Sequence, residues 1–264
     1  GPDLRELAAM AYDDNRRRVV LFGGRGTNGL LNDTWEWNGA SWQLLFPTNS
    51  PSPRHSHALA YDPTRRRVVL FGGRVSLASV GAEMADTWEL DGTNWRPAAN
   101  GIPGPRGGHA LAWDGTNVVL FGGFGGGAYH GDTWAWDGQL WRLAATNGPA
   151  PRQYHTMAYD DLCDRVVLFG GGQSVSNLAS DTWEWDRFKW TKKSEGSPPA
   201  RGQHGMAHDS GRNQTVVFGG QSSIQTRLQD TWTRNRDQTP LHAVSVEAGC
   251  GQSEACVTFN EPLD

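Results

Sequence analysis

Five arginines recur at near-equal intervals along this chain: Arg5, Arg54, Arg106, Arg152 and Arg201. A guanidinium is a rigid fork of donors that matches carboxylate and phosphate oxygens, so a ring of them facing one cavity would attract an anionic or sugar-like ligand. Three residues after each Arg stand His57, His109, His155 and His204, with Ala8 in the first case. Imidazoles at equivalent positions could share an axial metal or anion. Both types recur unit after unit, so each also has a structural reading, the Arg paired with an acidic residue or a carbonyl and the His in a buried hydrogen bond. Tyr129 and His130 follow the glycine-rich run at 122–127 and, with Glu83, are the acid/base candidates nearest Arg54 and Arg106. That run resembles a phosphate loop, but no helix follows it. No nucleophile–base–orienter set and no metal-ligand spacing stands out. The expected ligand-binding residues are therefore Arg54, Arg106, Arg152, Arg201, Tyr129 and His130, with no catalytic residue, metal or cofactor assigned.

The elements that must position these residues repeat with them. Phe-Gly-Gly begins at Phe22, Phe71, Phe121, Phe169 and Phe218, spaced 49, 50, 48 and 49 residues apart. Asp-Thr-Trp begins at Asp33, Asp86, Asp132, Asp181 and Asp230. Each unit reads as four short strands. Strand a ends at an aromatic-Asp pair such as Tyr61-Asp62, with His208-Asp209 in the last unit. Strand b is an apolar run such as Val19–Phe22, the pattern of a buried strand between turn signals. Strand c carries Asp-Thr-Trp, where alternation puts Trp35 and Trp37 on one face and Thr34 and Glu36 on the other. Strand d carries a Trp after a turn such as Asn38-Gly39. No period of 3.6 persists, so helix is not expected. All 13 Trp fall on repeat positions, which assigns them to burial between units rather than to a carbohydrate platform.

The Arg-x-x-His start, the double Gly after strand b, and the strand-c aromatic followed by the strand-d Trp together resemble the kelch family. The likeness spans residues 1–239, as repeats of about 4–49, 50–100, 101–147, 148–196 and 197–239. It implies an all-β fold, a β-propeller of five four-stranded kelch-type blades, a smaller number than the family usually carries. The strings around Asp33 and Asp181 resemble secreted bacterial members, which implies a secreted or cell-surface bacterial protein. Strand alternation puts the b–c and d–a connections at one end of the blades and the a–b and c–d turns at the other. The b–c loops vary most, and the resemblance makes that end the ligand face. The triplets Arg16–Arg18 and Arg65–Arg67, at the opposite end, read as solvated charged turns.

Composition narrows the function. The formal net charge of -4 lacks the basic footprint of a nucleic-acid binder, and no apolar run approaches a membrane span. Gly1-Pro2 reads as a protease-cleavage scar. Residues 240–264 shift in composition and read as a tail, either a closing strand or the start of an immunoglobulin-like module, in which Cys250 and Cys256 could form a local disulfide. The expected function is a non-catalytic binding module presenting its variable loops to a protein, peptide or glycan. The alternative is a propeller enzyme of cyclase, mutarotase or lyase type acting on a small anionic or sugar substrate.

Overall fold

The computed structural model describes residues 1–77, 81–194, 196–235 and 242–244. Among them the regular structure is all strand, with no helix and hence no helix long and apolar enough to cross a membrane. The strands form five antiparallel blade sheets, each ordered a-b-c-d, in a β-propeller architecture, with two further two-stranded hairpins in the b–c loops of blades 3 and 4. Blade 1 comprises Ala9–Asp13, Arg18–Gly26, Gly29–Trp37 and Trp42–Leu45, with Arg5–Glu6 added beside Arg25 and Gly26. Blade 2 comprises Ala58–Asp62, Arg67–Phe71, Asp86–Leu90 and Trp95–Asn100. Blade 3 comprises Ala110–Trp113, Val118–Phe121, Thr133–Trp136 and Trp141–Ala145. Blade 4 comprises Thr156–Asp160, Arg165–Phe169, Thr182–Trp185 and Trp190–Ser194. Blade 5 comprises Gly205–Asp209, Gln214–Phe218, Thr231–Asn235 and His242–Val244. Its outer strand thus lies in the segment beyond 239, read from the sequence as a closing strand or the start of a further module, with Ala243 opposite Trp232. Cys250 and Cys256 lie outside the described residues.

The chain divides into two compact units, one of 1–153 with 186–190, the other of 154–185 with the chain from 191 onward. Within the first, strand b supplies the core. Val20, Phe22, Val69, Leu70, Phe71, Val119, Leu120 and Phe121 are almost wholly buried, as a strand covered on both faces must be. The strand-b Phe is the pivot of the packing between neighbouring blades. Phe22 meets the rings of His57 and Trp95 edge-on at 5.4 and 5.3 Å, and Phe71 meets His109 and Trp141 at 5.3 and 5.4 Å. The same Trp completes the buried polar pairing: Trp95 Nε1 donates to Thr34 Oγ1 at 2.9 Å, Trp141 to Thr87 at 2.8 Å and Trp190 to Thr133 at 2.8 Å. A buried indole therefore loses no hydrogen bond on leaving water.

The alternation expected in strand c holds. Thr34 faces the following blade, while Trp136 faces the preceding one and donates to Glu89 Oε1 at 2.9 Å. Burial of the Trp residues is graded, however. Trp95, Trp136, Trp141, Trp185 and Trp190 are buried, whereas the first strand-c Trp of every blade is half-buried. Trp35, Trp88, Trp134, Trp183 and Trp232 each turn Nε1 back to the Asp two residues earlier, at 2.6–2.7 Å.

The first and last blades differ from the rest in a regular way. Met10 and Tyr12 of blade 1 are 61% and 53% exposed, where their counterparts Leu59 and Tyr61 are buried and half-buried. In blade 5, Phe218 is 53% exposed and Thr231 Oγ1 is buried with no partner. These are the positions that a neighbouring blade covers elsewhere. Phe71→Ala should consequently cost about 3–5 kcal/mol, as a large-to-small change in a sealed core, and Phe218→Ala about 1 kcal/mol or less, as a surface change. Chemical denaturation of the two variants against the parent chain checks the contrast; equal losses would contradict it.

Candidate functional site

The recurring arginines sit at the joints between blades. Arg54 lies in the connection from blade 1 to blade 2, and its backbone belongs to blade 1. Its N–H donates to Leu31 O at 3.1 Å, and its carbonyl accepts from Gly24 N at 2.9 Å. Its side chain belongs to blade 2, where Nη1 and Nη2 grip Asp86 at 2.7 and 2.8 Å and Nη1 also donates to Gly72 O. Nε donates to Ser52 O and Nη2 to Ser52 Oγ. All five guanidinium N–H donors are thereby used. Arg106 repeats the pattern with Asp132, Gly122 O and Gly104 O, and Arg201 with Asp230, Gly219 O and Pro199 O. Arg5 grips Asp33 and Gly23 O in blade 1. Arg152 is 3% exposed and donates Nε to Ala150 O.

The double Gly is dictated by this joint. Gly72 and Gly73 have φ of 59° and 95°, and a Cβ on Gly72 would stand 2.6 Å from Arg106 O. Only a residue without a side chain lets Gly73 N reach that carbonyl, at 2.9 Å.

Electrostatics agree with the geometry. Burial pushes the Asp86 and Asp132 carboxyls up, but their hydrogen bonds to Arg54 and Arg106 outweigh it and hold both below the usual range. The Arg201 hydrogen bonds push Asp230 down to about 2. Of the two readings of the ring formed by Arg54, Arg106, Arg152 and Arg201, this geometry favours the structural one. These side chains are buried, and at Arg54, Arg106 and Arg201 the charge is spent on a strand-c Asp.

The histidines share that fate at two of the four positions. His57 Nε2 lies 3.1 Å from Phe22 O, and His204 Nε2 lies 2.6 Å from Thr156 Oγ1. Burial, followed by the charge of Arg54 or Arg201, pushes each imidazole down to about 3. Both serve the blade joints rather than an axial metal.

Tyr129 and His130 are placed differently. The b–c loop of blade 3 is a small hairpin, Phe124–Gly125 against Ala128–Tyr129. Tyr129 tilts against Phe124 at 4.9 Å between centroids, and Arg74 of blade 2 stacks on the other partner of that pair, its Cζ 5.4 Å from the Phe124 ring. His130 Nε2 lies 3.2 Å from Gly125 O, and burial with the nearby Arg106 charge pushes its pKa down, leaving it neutral at pH 7. Its carbonyl accepts from Arg152 N at 3.2 Å, which ties the b–c loop to the d–a connection. The two loop sets thus meet at one end of the strands. Between them opens a cleft of about 580 Å³ lined by Tyr129, His130, Asp132, Asn147, Pro149 and Pro151.

Glu83, the other acid/base candidate, is instead held 3.4 Å from Arg74 Nε, with its carboxylate accepting from Gly81 N. The Arg74–Phe124 stack and the prolines of the d–a connection escaped the sequence reading. Phe124 inside the glycine run was the available signal, because a large aromatic in a flexible loop needs a partner.

At the opposite end, Arg16 and Arg65 are not solvated turns. Arg16 pairs with Asp13 and Glu36, both at 2.6 Å, and Arg65 with Asp62 and Glu89. Arg17 and Arg66 take φ of 52° and 55° and remain exposed.

A chain with this site is, by class, a propeller scaffold that seals its blades with ion pairs and presents loops at one end. Over 119 residues, 41% of its length, it is 32% identical to adagio-like protein 2 of Oryza sativa subsp. japonica, and the match spans 18% of that relative. No protein-family profile matches the chain.

Two outcomes are expected of the joints. Arg106→Ala strands Asp132 beside a buried gap and should cost about 3–5 kcal/mol, as loss of one partner of a buried pair does; an unchanged denaturation midpoint would contradict this. The second concerns pH. An unfolded His titrates near 6.5, while His57 and His204 resist protonation down to about 3. Acid therefore favours the unfolded chain, and stability present above pH 6.5 declines as pH falls through that window. The Asp–Arg pairs add to the loss only below about pH 4. The melting temperature should fall between about pH 7 and 5, and His57→Gln with His204→Gln should flatten that part of the profile.

Proposed function

We propose that this chain is a non-catalytic interaction module whose b–c and d–a connections hold a protein, peptide or glycan ligand. The observation that carries the reading is the cleft at Tyr129 and His130. It is built from these two kinds of connection on a frame whose charges are already paired, and adaptable loops on a rigid frame are the usual seat of recognition. Its chemistry favours a largely uncharged ligand. Tyr129 offers an aromatic face, His130 a neutral imidazole and Asn147 an amide, while the Arg106 cation is committed to Asp132. The enzyme alternative gains little support, since Glu83 is bound to Arg74 and Asp132, which lines the cleft beside His130, is held by Arg106. An exported bacterial setting belongs to the same proposal and rests on the resemblance of the repeats alone.

Screening the intact chain against glycan and peptide arrays tests the site. Tyr129→Ala with His130→Ala should weaken the best-bound ligands by about 2 kcal/mol, over tenfold, as truncation of an aromatic anchor does. Arg17→Ala with Arg66→Ala, at the other end of the blades, should leave binding unchanged. The reverse pattern would place recognition at the turn end and overturn the assignment.

A further inference from the structure

We infer that Asp160, Asp161 and His208 form a divalent-cation site at the a–b turns of blades 4 and 5. The inference starts from a departure in the repeat. Strand a ends in an aromatic in four blades, at Tyr12, Tyr61, Trp113 and Tyr159, and in an imidazole in the fifth, at His208. This position looks toward the a–b turn of the preceding blade. In blade 2, burial and the neighbouring Asp13 charge push the Tyr61 hydroxyl up to about 12. The same placement in blade 5 brings His208 Nε2 to 3.8 Å from Asp160 Oδ1 and 3.3 Å from Asp161 Oδ1. Three candidate ligand atoms, one from each residue, lie within 4.8 Å of one another.

A second departure removes the turn's own cation. In blades 1 and 2 the fourth residue of the turn is Arg16 or Arg65, which neutralises Asp13 or Asp62. In blade 4 that place is taken by Cys163, whose N–H donates to Asp160 Oδ1 at 2.9 Å. Among the described residues no Arg or Lys pairs with Asp160 or Asp161. Two carboxylates thus converge without a basic side chain between them.

The imidazole points to what fills that role. The His208 side chain is only 4% exposed, and its Nε2 is buried with no hydrogen-bond partner. On its other side, Nδ1 lies 3.1 Å from Thr215 Oγ1. With Nδ1–H donating to that hydroxyl, the Nε2 lone pair faces two anionic oxygens, an arrangement that a bound cation resolves. Metal-ligating histidines are commonly oriented in this way through their second nitrogen. An ion about 2.1 Å from each ligand atom separates those atoms by about 3–3.5 Å, close to the distances seen here. One imidazole and two carboxylates suit Mn²⁺ or Zn²⁺. The 53% exposure of the Asp161 side chain leaves room for coordinated water.

The probe is Mn²⁺ alone, because the cysteines of the chain would compete for Zn²⁺. Tag-free, chelator-treated protein is titrated with Mn²⁺ while the resonance of the free ion is followed by EPR. One equivalent should be withdrawn at sub-millimolar concentration. His208→Tyr, which restores the aromatic of the other repeats, and Asp161→Asn should each weaken binding by about tenfold or more, and Thr215→Val by about tenfold through loss of the orienting hydroxyl. Asp14→Asn, at the matching turn position of blade 1, should bind as the parent does. An undiminished free-ion signal with the parent chain would overturn the proposal. Full affinity in His208→Tyr would also overturn it. Should His208→Tyr fail to fold, Asp161→Asn decides, being a surface change.

Discussion

One ion pair recurs at the blade joints and organises what surrounds it. An arginine whose backbone is hydrogen-bonded to one blade sends its guanidinium into the next, where it clamps the strand-c Asp and the first carbonyl of the double Gly. Burying a guanidinium and a carboxylate is costly unless the remaining donors and lone pairs are satisfied. At Arg54 they are, because all five N–H groups have acceptors. The Asp in turn accepts from the indole two residues on, and the Thr between them takes the indole N–H of the following blade. The string Asp-Thr-Trp thus serves both neighbours, the Asp holding the arginine of the preceding connection, the Thr taking the indole of the following blade and the Trp closing back on the Asp. Lysine could not substitute for the arginine, since an ammonium lacks the planar fork that meets carboxylate and carbonyl together.

This arrangement explains what the sequence disclosed and what it concealed. The five-fold recurrence of Phe-Gly-Gly and Asp-Thr-Trp made strand order, blade number and the loop-bearing end legible, because each repeated residue answers a repeated contact. For the arginines it left two readings open, because recurrence and chemical capability were both visible but the partner was not. Arg54 and Asp86 stand 32 residues apart, and nothing along the chain says that they meet. Tyr129 and His130 stood out for the opposite reason, as polar and aromatic residues in a segment that does not repeat. The outer strand of blade 5 stayed open between a closing strand and the start of a further module, because it carries no Trp. Backbone pairing seats His242–Val244 beside strand c, and pairing leaves little mark on composition.

The exposed positions in the terminal blades show how far the contacts depend on neighbours. Phe22, Phe71, Phe121 and Phe169 are fully buried, while Phe218, with the same flanking glycines, is half open to water. Among the described residues no His or Trp ring packs on it as His57 and Trp95 pack on Phe22. The effect reaches back one blade as well. Thr182 Oγ1 is buried with no partner, and the fifth repeat is the one whose strand d carries no Trp to donate to it. Stability in such a chain therefore resides in the joints as much as in the blades.

A division of labour follows between residues that repeat and residues that do not. The repeated charges are neutralised internally, so they lend the loop face little field of their own. Any selectivity there must come from shape and from uncharged donors and acceptors such as those of Tyr129, His130 and Asn147. Departures from the repeat then mark the places where chemistry is released from structural duty. His130 departs by lying in a loop, beside a cleft. His208 departs by replacing an aromatic, and Cys163 by replacing the arginine that would have neutralised Asp160. Two coordinated departures at one turn are harder to attribute to drift in a tolerant surface than either alone, because each by itself leaves a buried polar group poorly matched, whereas together they set an imidazole between two acids.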